Sequence, residues 1–232
     1  QPAQTPAPTY QERDFLTRTR RITVEGRRSG EGYFSPDGKR MVFQSERDPA
    51  NPWYQIYTLD MTSGDIKKIS PGIGKTTCAY FRPGTDEILF SSTHHDPKSK
   101  QYQDEELAFR ASGKTRRYSW DYDPEMDIYA LSEKSGAMKR LTTARGYDAE
   151  AAYSPDGQWI IFTSMRGAYS RQLNATEKAA LEKDPSLFAD IYIMKADGTG
   201  QRRLTTELGY DGGPFFTQDS QRIVWRHFDE SG

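Results

Sequence analysis

A short pattern of residues occurs four times in this chain, and its spacing restricts the fold more than any other feature. Each copy contains a turn and, seven residues after one fixed turn position, a large aromatic residue. The turn positions are Pro36, Pro83, Pro155 and Gln218, and the aromatic residues are Phe43, Phe90, Phe162 and Trp225. Two of the turns read Ser-Pro-Asp-Gly, in which proline presets φ and glycine accepts positive φ. Fixed offsets of this kind indicate an internal structural repeat.

Two further landmarks keep the same register and divide each repeat into strands. An Ile or Leu followed by Ser or Thr stands fourteen residues before each turn position, at Ile22, Ile69, Leu141 and Leu204. A Gln or Asp followed by Ile-Tyr occurs three times, and its Ile stands thirteen residues before the next of these pairs, at Ile56, Ile128 and Ile191. Each repeat thus has four short strands, which is typical of a β-propeller blade. We predict an all-β propeller of four-stranded antiparallel blades at about 31–70, 78–142 and 150–205, with a partial blade at 213–228.

The Ser-Pro-Asp-Gly turn, the Phe-x-Ser strand, the Asp-Ile-Tyr strand and the Arg-Leu-Thr ending together resemble the TolB-type propeller repeat, a relative of the WD40 repeat. The resemblance covers about residues 18–228 and departs from the pattern at 82–86 and 217–220, where other turn-forming residues stand. The resemblance implies a propeller. Repeats of this family serve as binding scaffolds, as propeller parts of peptidases and in some lyases, so the resemblance specifies the fold and leaves the function open.

The two ends of the sequence add expectations about the whole protein. Residues 1–17 form a Pro-rich linker, typical of a processed N-terminus followed by an extended segment, and they favour a periplasmic or otherwise exported location. Residues 18–23 match the fourth-strand endings of the later repeats, so we expect a strand there that closes the last blade. A closed ring usually contains more units than these, and we therefore expect the sequence to be part of a longer protein.

Composition excludes several classes of function. The net charge of −1 gives no general basis for nucleic-acid binding, and no apolar run reaches the roughly 18 residues of a membrane span. The single cysteine, Cys78, excludes an internal disulfide. His94 and His95 are neighbours on a strand and point to opposite faces, so we predict neither a metal site nor any other cofactor. The sequence contains no Gly-x-Ser-x-Gly motif and no phosphate-binding loop, so we assign no catalytic residue.

All variation in repeat length falls between the second and third strands, where a propeller usually carries binding loops. The first insertion, about 94–126, ends in a segment rich in aromatic residues, Tyr118, Trp120 and Tyr122. These side chains either anchor a protein or carbohydrate partner or pack the loop onto its blade. The second insertion, 166–192, contains a short helix that begins at Asn174 or Thr176 and ends at Asp184-Pro185.

Two sets of charged residues recur by register. Asp148 and Asp211 open the first strand of their repeats, and with Glu150 they are candidates to rim the central channel and hold a cation or a basic peptide end. The alternative is that each aspartate caps its own turn. A basic pair precedes each Leu-Thr or its equivalent, at 20–21, 67–68, 139–140 and 202–203. These pairs either prevent edge-to-edge association or form a basic belt for anionic surfaces.

The function that these features favour is that of a non-catalytic, exported scaffold that binds protein partners, as an accessory subunit of a membrane-associated complex. One alternative is the propeller portion of a larger peptidase, where the ring controls access to the active site. The other is a carbohydrate-binding propeller that uses the aromatic residues of the first insertion.

Overall fold

The computed structural model describes residues 11–117 and 119–229. Three four-stranded antiparallel sheets follow one another along the chain, and a two-stranded sheet follows them. The first sheet contains β1 (Ser29–Phe34), β2 (Arg40–Ser45), β3 (Gln55–Asp60) and β4 (Ile66–Lys68). The second contains β5 (Thr76–Phe81), β6 (Glu87–Ser92), β7 (Asp127–Ser132) and β8 (Met138–Arg140). The third contains β9 (Asp148–Tyr153), β10 (Trp159–Ser164), β11 (Asp190–Lys195) and β12 (Arg202–Arg203), and the fourth contains β13 (Tyr210–Phe216) and β14 (Ile223–Phe228). The four-stranded antiparallel sheets predicted from the repeat are confirmed.

The repeated turn is held by its own side chains. The Ser35 hydroxyl accepts from the Arg40 N–H at 2.9 Å and donates to the Asp37 carboxylate at 2.6 Å. The same carboxylate accepts from the Lys39 N–H at 3.1 Å, and Gly38 takes a φ of +68° that other residues rarely adopt. The turns at 154–157 and 217–220 repeat these hydrogen bonds, with threonine and serine in the last copy replacing the first Ser and the Gly.

The Ser or Thr at the end of each full repeat closes its sheet. Its hydroxyl accepts a hydrogen bond from the backbone N–H of the isoleucine at the second position of the third strand. These bonds join Ile56 to Ser70 at 3.0 Å, Ile128 to Thr142 at 2.9 Å and Ile191 to Thr205 at 2.9 Å. The fixed spacing seen in the sequence therefore corresponds to a contact between the third strand and the end of the repeat, fourteen residues later.

Apolar side chains fill the spaces between successive sheets. The repeated aromatic residues Phe90 and Phe162 are fully buried, and each lies beside a tyrosine of the neighbouring third strand. The ring centroids are 6.0 Å apart for Phe90 and Tyr129, and 5.7 Å apart for Phe162 and Tyr192. Phe43 keeps the same arrangement with Tyr57. One buried cluster joins side chains of the first and second sheets and includes Phe90, and another joins the second and third sheets and includes Phe162. The core thus forms layers between successive sheets, as expected for stacked repeats.

Trp225 shares the sequence register of Phe43, Phe90 and Phe162, and this register predicts burial between neighbouring blades; for Trp225 that prediction is wrong. Its side chain is 39% exposed, although it holds the same register on the second strand of its sheet. The described part of the fourth sheet has only two strands, so no third-strand tyrosine covers the indole ring. The indole N–H instead donates to the Asp211 carboxylate at 3.0 Å.

The second insertion agrees with its prediction, whereas the first contains a helix that was not predicted. In the second, α2 (Arg166–Tyr169) is followed by α3 (Ala175–Lys183) and a 3-10 turn (Pro185–Phe188). Asn174 caps α3 by accepting from the Glu177 N–H at 2.9 Å. In the first, α1 (Ser99–Ala111) buries Gln103 and Glu106 in place of an apolar stripe, so the helix has no hydrophobic periodicity to reveal it.

Residues 18–23 form no strand with any described part of the chain, and their closing role stays a prediction. Across 11–117 and 119–229, none of the helices has the length and apolar character that crossing a membrane requires.

Candidate functional site

The strand order places both insertions at one face of the array. Each second strand ends at this face, each third strand begins there, and the Ser-Pro-Asp-Gly turns lie at the opposite face. We call it the insertion face. A cleft of about 550 Å³ opens on it, bordered by the segment before β1, the loop before β3, the start of β5, the end of α1 and residues 114–117 and 119–122. Pro185 of the second insertion also lines the cleft, so the two insertions meet there.

The cleft is basic in a chain that is nearly neutral. Of the residues that the structure describes, seven basic and three acidic side chains line it, a net charge of +4, whereas the whole chain carries −1. The basic residues are Arg27, Arg28, Lys75, Arg110, Lys114, Arg116 and Arg117. Five aromatic side chains of the described residues lie among them: Trp53, Tyr54, Phe109, Trp120 and Tyr122. Since a concave surface of one charge concentrates its own field, this cleft attracts anionic groups.

Two buried carboxylates hold three of the arginines in place. Glu46 pairs with Arg28 and with Arg110, both at 3.3 Å. Glu106 pairs with Arg110 at 2.7 Å and also with Arg116. The side chains of Glu46 and Glu106 are only 6% and 9% exposed, so these pairs are better shielded from water than ordinary surface pairs. The guanidinium groups are therefore fixed in position before any ligand arrives.

A lysine fixes the segment that carries the insertion aromatics. Lys75 Nζ lies 2.5 Å from Asp121 and 2.7 Å from Asp123, and 5.3 Å from the centre of the Trp53 ring. Burial lowers the pKa of Lys75, but the two carboxylates outweigh it and the pKa is raised overall. Lys75 therefore stays charged and ties the end of the first insertion to the second sheet.

The predicted insertion aromatics line the cleft from a packed position. Trp120 and Tyr122 are half-buried, and the Trp120 indole N–H donates to the Tyr147 hydroxyl at 2.9 Å. Tyr122 meets the Tyr147 ring edge to face with centroids 5.2 Å apart. Tyr118 lies outside the described residues. Both side chains pack against the blade and also line the cleft, and their role in binding a partner stays a prediction.

The predicted channel carboxylates are each engaged within the chain. Asp148 is fully buried against Arg166 at 2.5 Å, and its burial raises its pKa to about 6 against the opposing effect of Arg166. Asp211 accepts from Trp225 and lies 2.7 Å from His227. Within the described ranges, no group of three such side chains has the geometry to hold a metal ion. A ligand role for these carboxylates stays a prediction.

Glu150 belongs to a set that the sequence reasoning missed. The innermost strand of each sheet has a β-bulge, and one residue in it takes a left-handed φ. These residues stand five positions before each turn position: Glu31 at +45°, Cys78 at +55°, Glu150 at +55° and Gly213 at +59°. Glu150 accepts from the Tyr210 hydroxyl at 2.9 Å and from the Gly213 N–H at 2.5 Å. The glycine in the fourth copy was the available signal, because glycine favours this conformation.

His94, His95 and one member of each of two basic pairs make contacts within the chain. Arg140 binds Asp127 at 2.9 Å and Arg203 binds Asp190 at 2.7 Å, so one member of each of these pairs stabilises its own sheet. His95 contacts the Tyr129 hydroxyl at 2.8 Å, while the His94 ring lies 4.4 Å from the Tyr129 ring. Burial is the main cause that lowers the pKa of His94 to about 4.

Comparisons with known proteins agree on the repeat. No family model matches the chain. It is 28% identical over 185 residues, 72% of its length, to the uncharacterized peptidase YuxL of Bacillus subtilis, and 25% identical over 122 residues, 43% of its length, to a TolB homolog of Chlorobium luteolum. The structure of a putative TolB from Agrobacterium tumefaciens matches 89% of this chain and 58% of that chain with a TM-score of 0.59 at 19% identity.

The repeat resembles the TolB type. The sheets described above have the fold of β-propeller blades, as in the TolB structure, and the cleft lies on the face that carries both insertions. The chain spans 24% of the length of the YuxL peptidase and 28% of that of the TolB homolog, so the activity and partners of the whole protein are matters for proposal.

Proposed function

We propose that this chain is a non-catalytic binding scaffold, which holds a protein partner on the insertion face of its TolB-type propeller. The observation that carries the proposal is the cleft, where arginines and aromatic side chains are concentrated. Arg, Trp and Tyr are the residue types that contribute most of the binding energy at protein interfaces. The propeller supplies a rigid frame, and the two insertions supply the surface.

The frame under the cleft is well fixed. Gln103 of α1 accepts from the Gly74 N–H at 3.1 Å and donates to the Ala50 carbonyl at 2.6 Å, which ties the first insertion to two loops of the blades. Since these contacts order the surface in advance, binding costs less conformational entropy. We also propose, from the processed character of the N-terminal segment, that the scaffold is exported and works in a membrane-associated assembly. Cell fractionation tests the location.

Site-specific photo-crosslinking in the source cells tests the binding face. A crosslinking amino acid is placed at Tyr102 or Lys178 on the insertions, or at Lys39 or Thr85 in the turns of the opposite face; all four positions are exposed. We expect one defined protein adduct from the insertion positions and none from the turn positions. Equal adducts from both faces, or adducts from the turns alone, contradict the proposal.

A second function is favoured by one comparison. The match to the YuxL peptidase covers 72% of this chain, against 43% for the TolB homolog. In this alternative the chain is the propeller part of a peptidase and controls access to its active site. The protein encoded by the complete reading frame is assayed for hydrolysis of peptide nitroanilides. Hydrolysis that is lost when the serine of a Gly-x-Ser-x-Gly motif is replaced supports this alternative and rejects the non-catalytic scaffold.

A further inference from the structure

We infer that the cleft on the insertion face is a binding site for an acidic peptide segment, in which several Asp or Glu side chains alternate with apolar ones. The inference rests on the proposed function and specifies the chemistry of its partner. Three observations carry it: cations without an acidic partner, arginines held in place from behind, and aromatic rings whose faces are partly occupied.

The first observation is an excess of cations at the mouth of the cleft. Arg27, Lys114 and Arg117 are exposed, and none of the acidic side chains between residues 11 and 229 that the structure describes pairs with them. Other exposed charges of the chain do find partners, such as Arg145 with Glu125 and Arg171 with Glu177. Because like charges in one cleft repel each other, this excess raises the free energy of the unoccupied cleft and favours the binding of an anionic ligand.

The second observation is the geometry of the buried ion network. Arg110 uses its Nε and one terminal nitrogen for Glu106 and Glu46. Its other terminal nitrogen has no acceptor among the described residues, although Arg110 lines the cleft. A guanidinium group fixed in this way offers N–H donors in a plane that fits a carboxylate. The cations that line the cleft belong to several segments of the chain, and several separate carboxylates can pair with more of them than one compact phosphate can.

The third observation distinguishes a peptide from an acidic polysaccharide. Sugar rings need open aromatic faces for stacking, but Lys75 lies over the Trp53 ring at 5.3 Å and Arg116 over the Phe109 ring at 4.8 Å. Trp120 has its indole N–H turned inward to Tyr147. What remains for a ligand is the edges and partial faces of aromatic rings. These suit small apolar side chains placed between carboxylates.

The experiment measures binding by fluorescence anisotropy with the full 232-residue chain. The probe is a labelled peptide of alternating Glu and Leu, and the matched probe has Gln in place of Glu. We expect the Glu peptide to bind and the Gln peptide to bind far more weakly, with the affinity for the Glu peptide falling as salt is raised. Failure of the Glu peptide to bind, or equal binding of the two peptides, overturns the inference.

Two triple variants with the same change in net charge locate the site. In the cleft variant Arg27, Lys114 and Arg117 are all changed to Glu; in the control Lys67, Lys134 and Arg202, exposed residues outside the cleft, are changed to Glu. We expect the affinity of the cleft variant for the Glu peptide to fall by about tenfold or more, because three attractions become repulsions. The affinity of the control should stay within about twofold of that of the original chain. Equal loss in both overturns the inference, since binding then depends only on net charge. Thermal unfolding of both variants is the control that tests whether they are folded.

Competitors separate the other possible ligands. Polygalacturonate that binds where the Glu peptide does not, or inorganic phosphate that displaces the peptide at low concentration, overturns the inference in favour of a carbohydrate or a phosphate group. The outcomes also separate this inference from the proposed function. Crosslinks from the insertion face without binding of acidic peptides refute the inference alone, whereas peptide binding to the cleft without any crosslink in cells refutes the scaffold function alone.

Discussion

The burial of Phe162 gives the most direct test of how the sheets are held together. Its side chain is completely buried between the second and third sheets, and its ring lies 5.7 Å from that of Tyr192. The Arg166 guanidinium lies 5.3 Å from the centre of the Phe162 ring. The substitution Phe162→Ala removes the ring from this layer and leaves a cavity that two packed sheets cannot easily close.

The expected loss is about 3–5 kcal/mol, the range for truncation of a buried phenylalanine. The upper half of that range is expected, because the lost aromatic pair with Tyr192 contributes about 0.5–1.5 kcal/mol beyond burial. Trp225→Ala is the matched control, since Trp225 holds the same register but is 39% exposed. It loses one hydrogen bond and partial packing, so we expect a cost of only about 1–2 kcal/mol.

Urea unfolding followed by circular dichroism measures both variants, because the change at Trp225 alters the tryptophan fluorescence. The slope of the unfolding free energy with urea must stay unchanged for the values to be compared. Hydrogen exchange should show the loss from Phe162→Ala mainly in the second and third sheets. A loss below about 1 kcal/mol for Phe162→Ala, or equal losses for the two variants, would refute the inter-sheet layer as the source of stability.

Three further predictions test local features. In one NMR titration of the three histidines, His94 and His95 should titrate below the ordinary value of 6.5 and His227 above it, because burial lowers the pKa of the first two and Asp211 raises the pKa of the third. Between about pH 6.5 and pH 4 the His94 side chain is protonated in the unfolded chain but neutral in the folded one, so it makes the free energy of unfolding fall as the pH drops through this range. The opposite order of the histidine pKa values would contradict the prediction. Thr142→Val should cost about 1–3 kcal/mol in urea unfolding because the buried N–H of Ile128 loses its acceptor, while Thr143→Val at the exposed neighbour should cost less than about 0.5 kcal/mol. Glu31→Gly should be more stable than Glu31→Ala by about 1 kcal/mol, because only glycine takes the φ of +45° without strain, and equal stability would contradict the left-handed conformation.

The repeated elements could be predicted from the sequence because each is determined by local chemistry. The Ser-Pro-Asp-Gly turn forms its hydrogen bonds within six residues, and the alternation of apolar residues after it gives the second strand. Trp225 shows the limit of this reasoning. Its register was correct, but its burial depends on a third strand, which the described part of the fourth sheet lacks.

The cleft could not be predicted, because its contacts join residues that are far apart in the sequence and because helix α1 shows no hydrophobic periodicity. Arg110 meets Glu46, sixty-four positions earlier, and helix α1 is held by the buried polar groups of Gln103 and Glu106. A helix of this kind has no apolar stripe, and propensity alone is a weak signal. The left-handed residues Glu31, Cys78 and Glu150 were hidden for a different reason. Their conformation is set by the bulge of the inner strand, and only Gly213 of the fourth copy shows it in the sequence.

The positions that form the cleft are separate from those that hold the blades together. Arg27, Lys114 and Arg117 contribute nothing to the layers between the sheets, whereas Phe90, Phe162 and the hydroxyls that close each sheet lie away from the cleft. Substitutions at these three cations therefore alter the charge of the insertion face without opening a cavity or leaving a buried polar group unpaired. Glu46 and Glu106 are the exception. Each is buried and holds two arginines, so the loss of either carboxylate would both destabilise α1 and release the guanidinium groups. These two carboxylates are where the stability of the propeller and the shape of its candidate binding site depend on the same atoms.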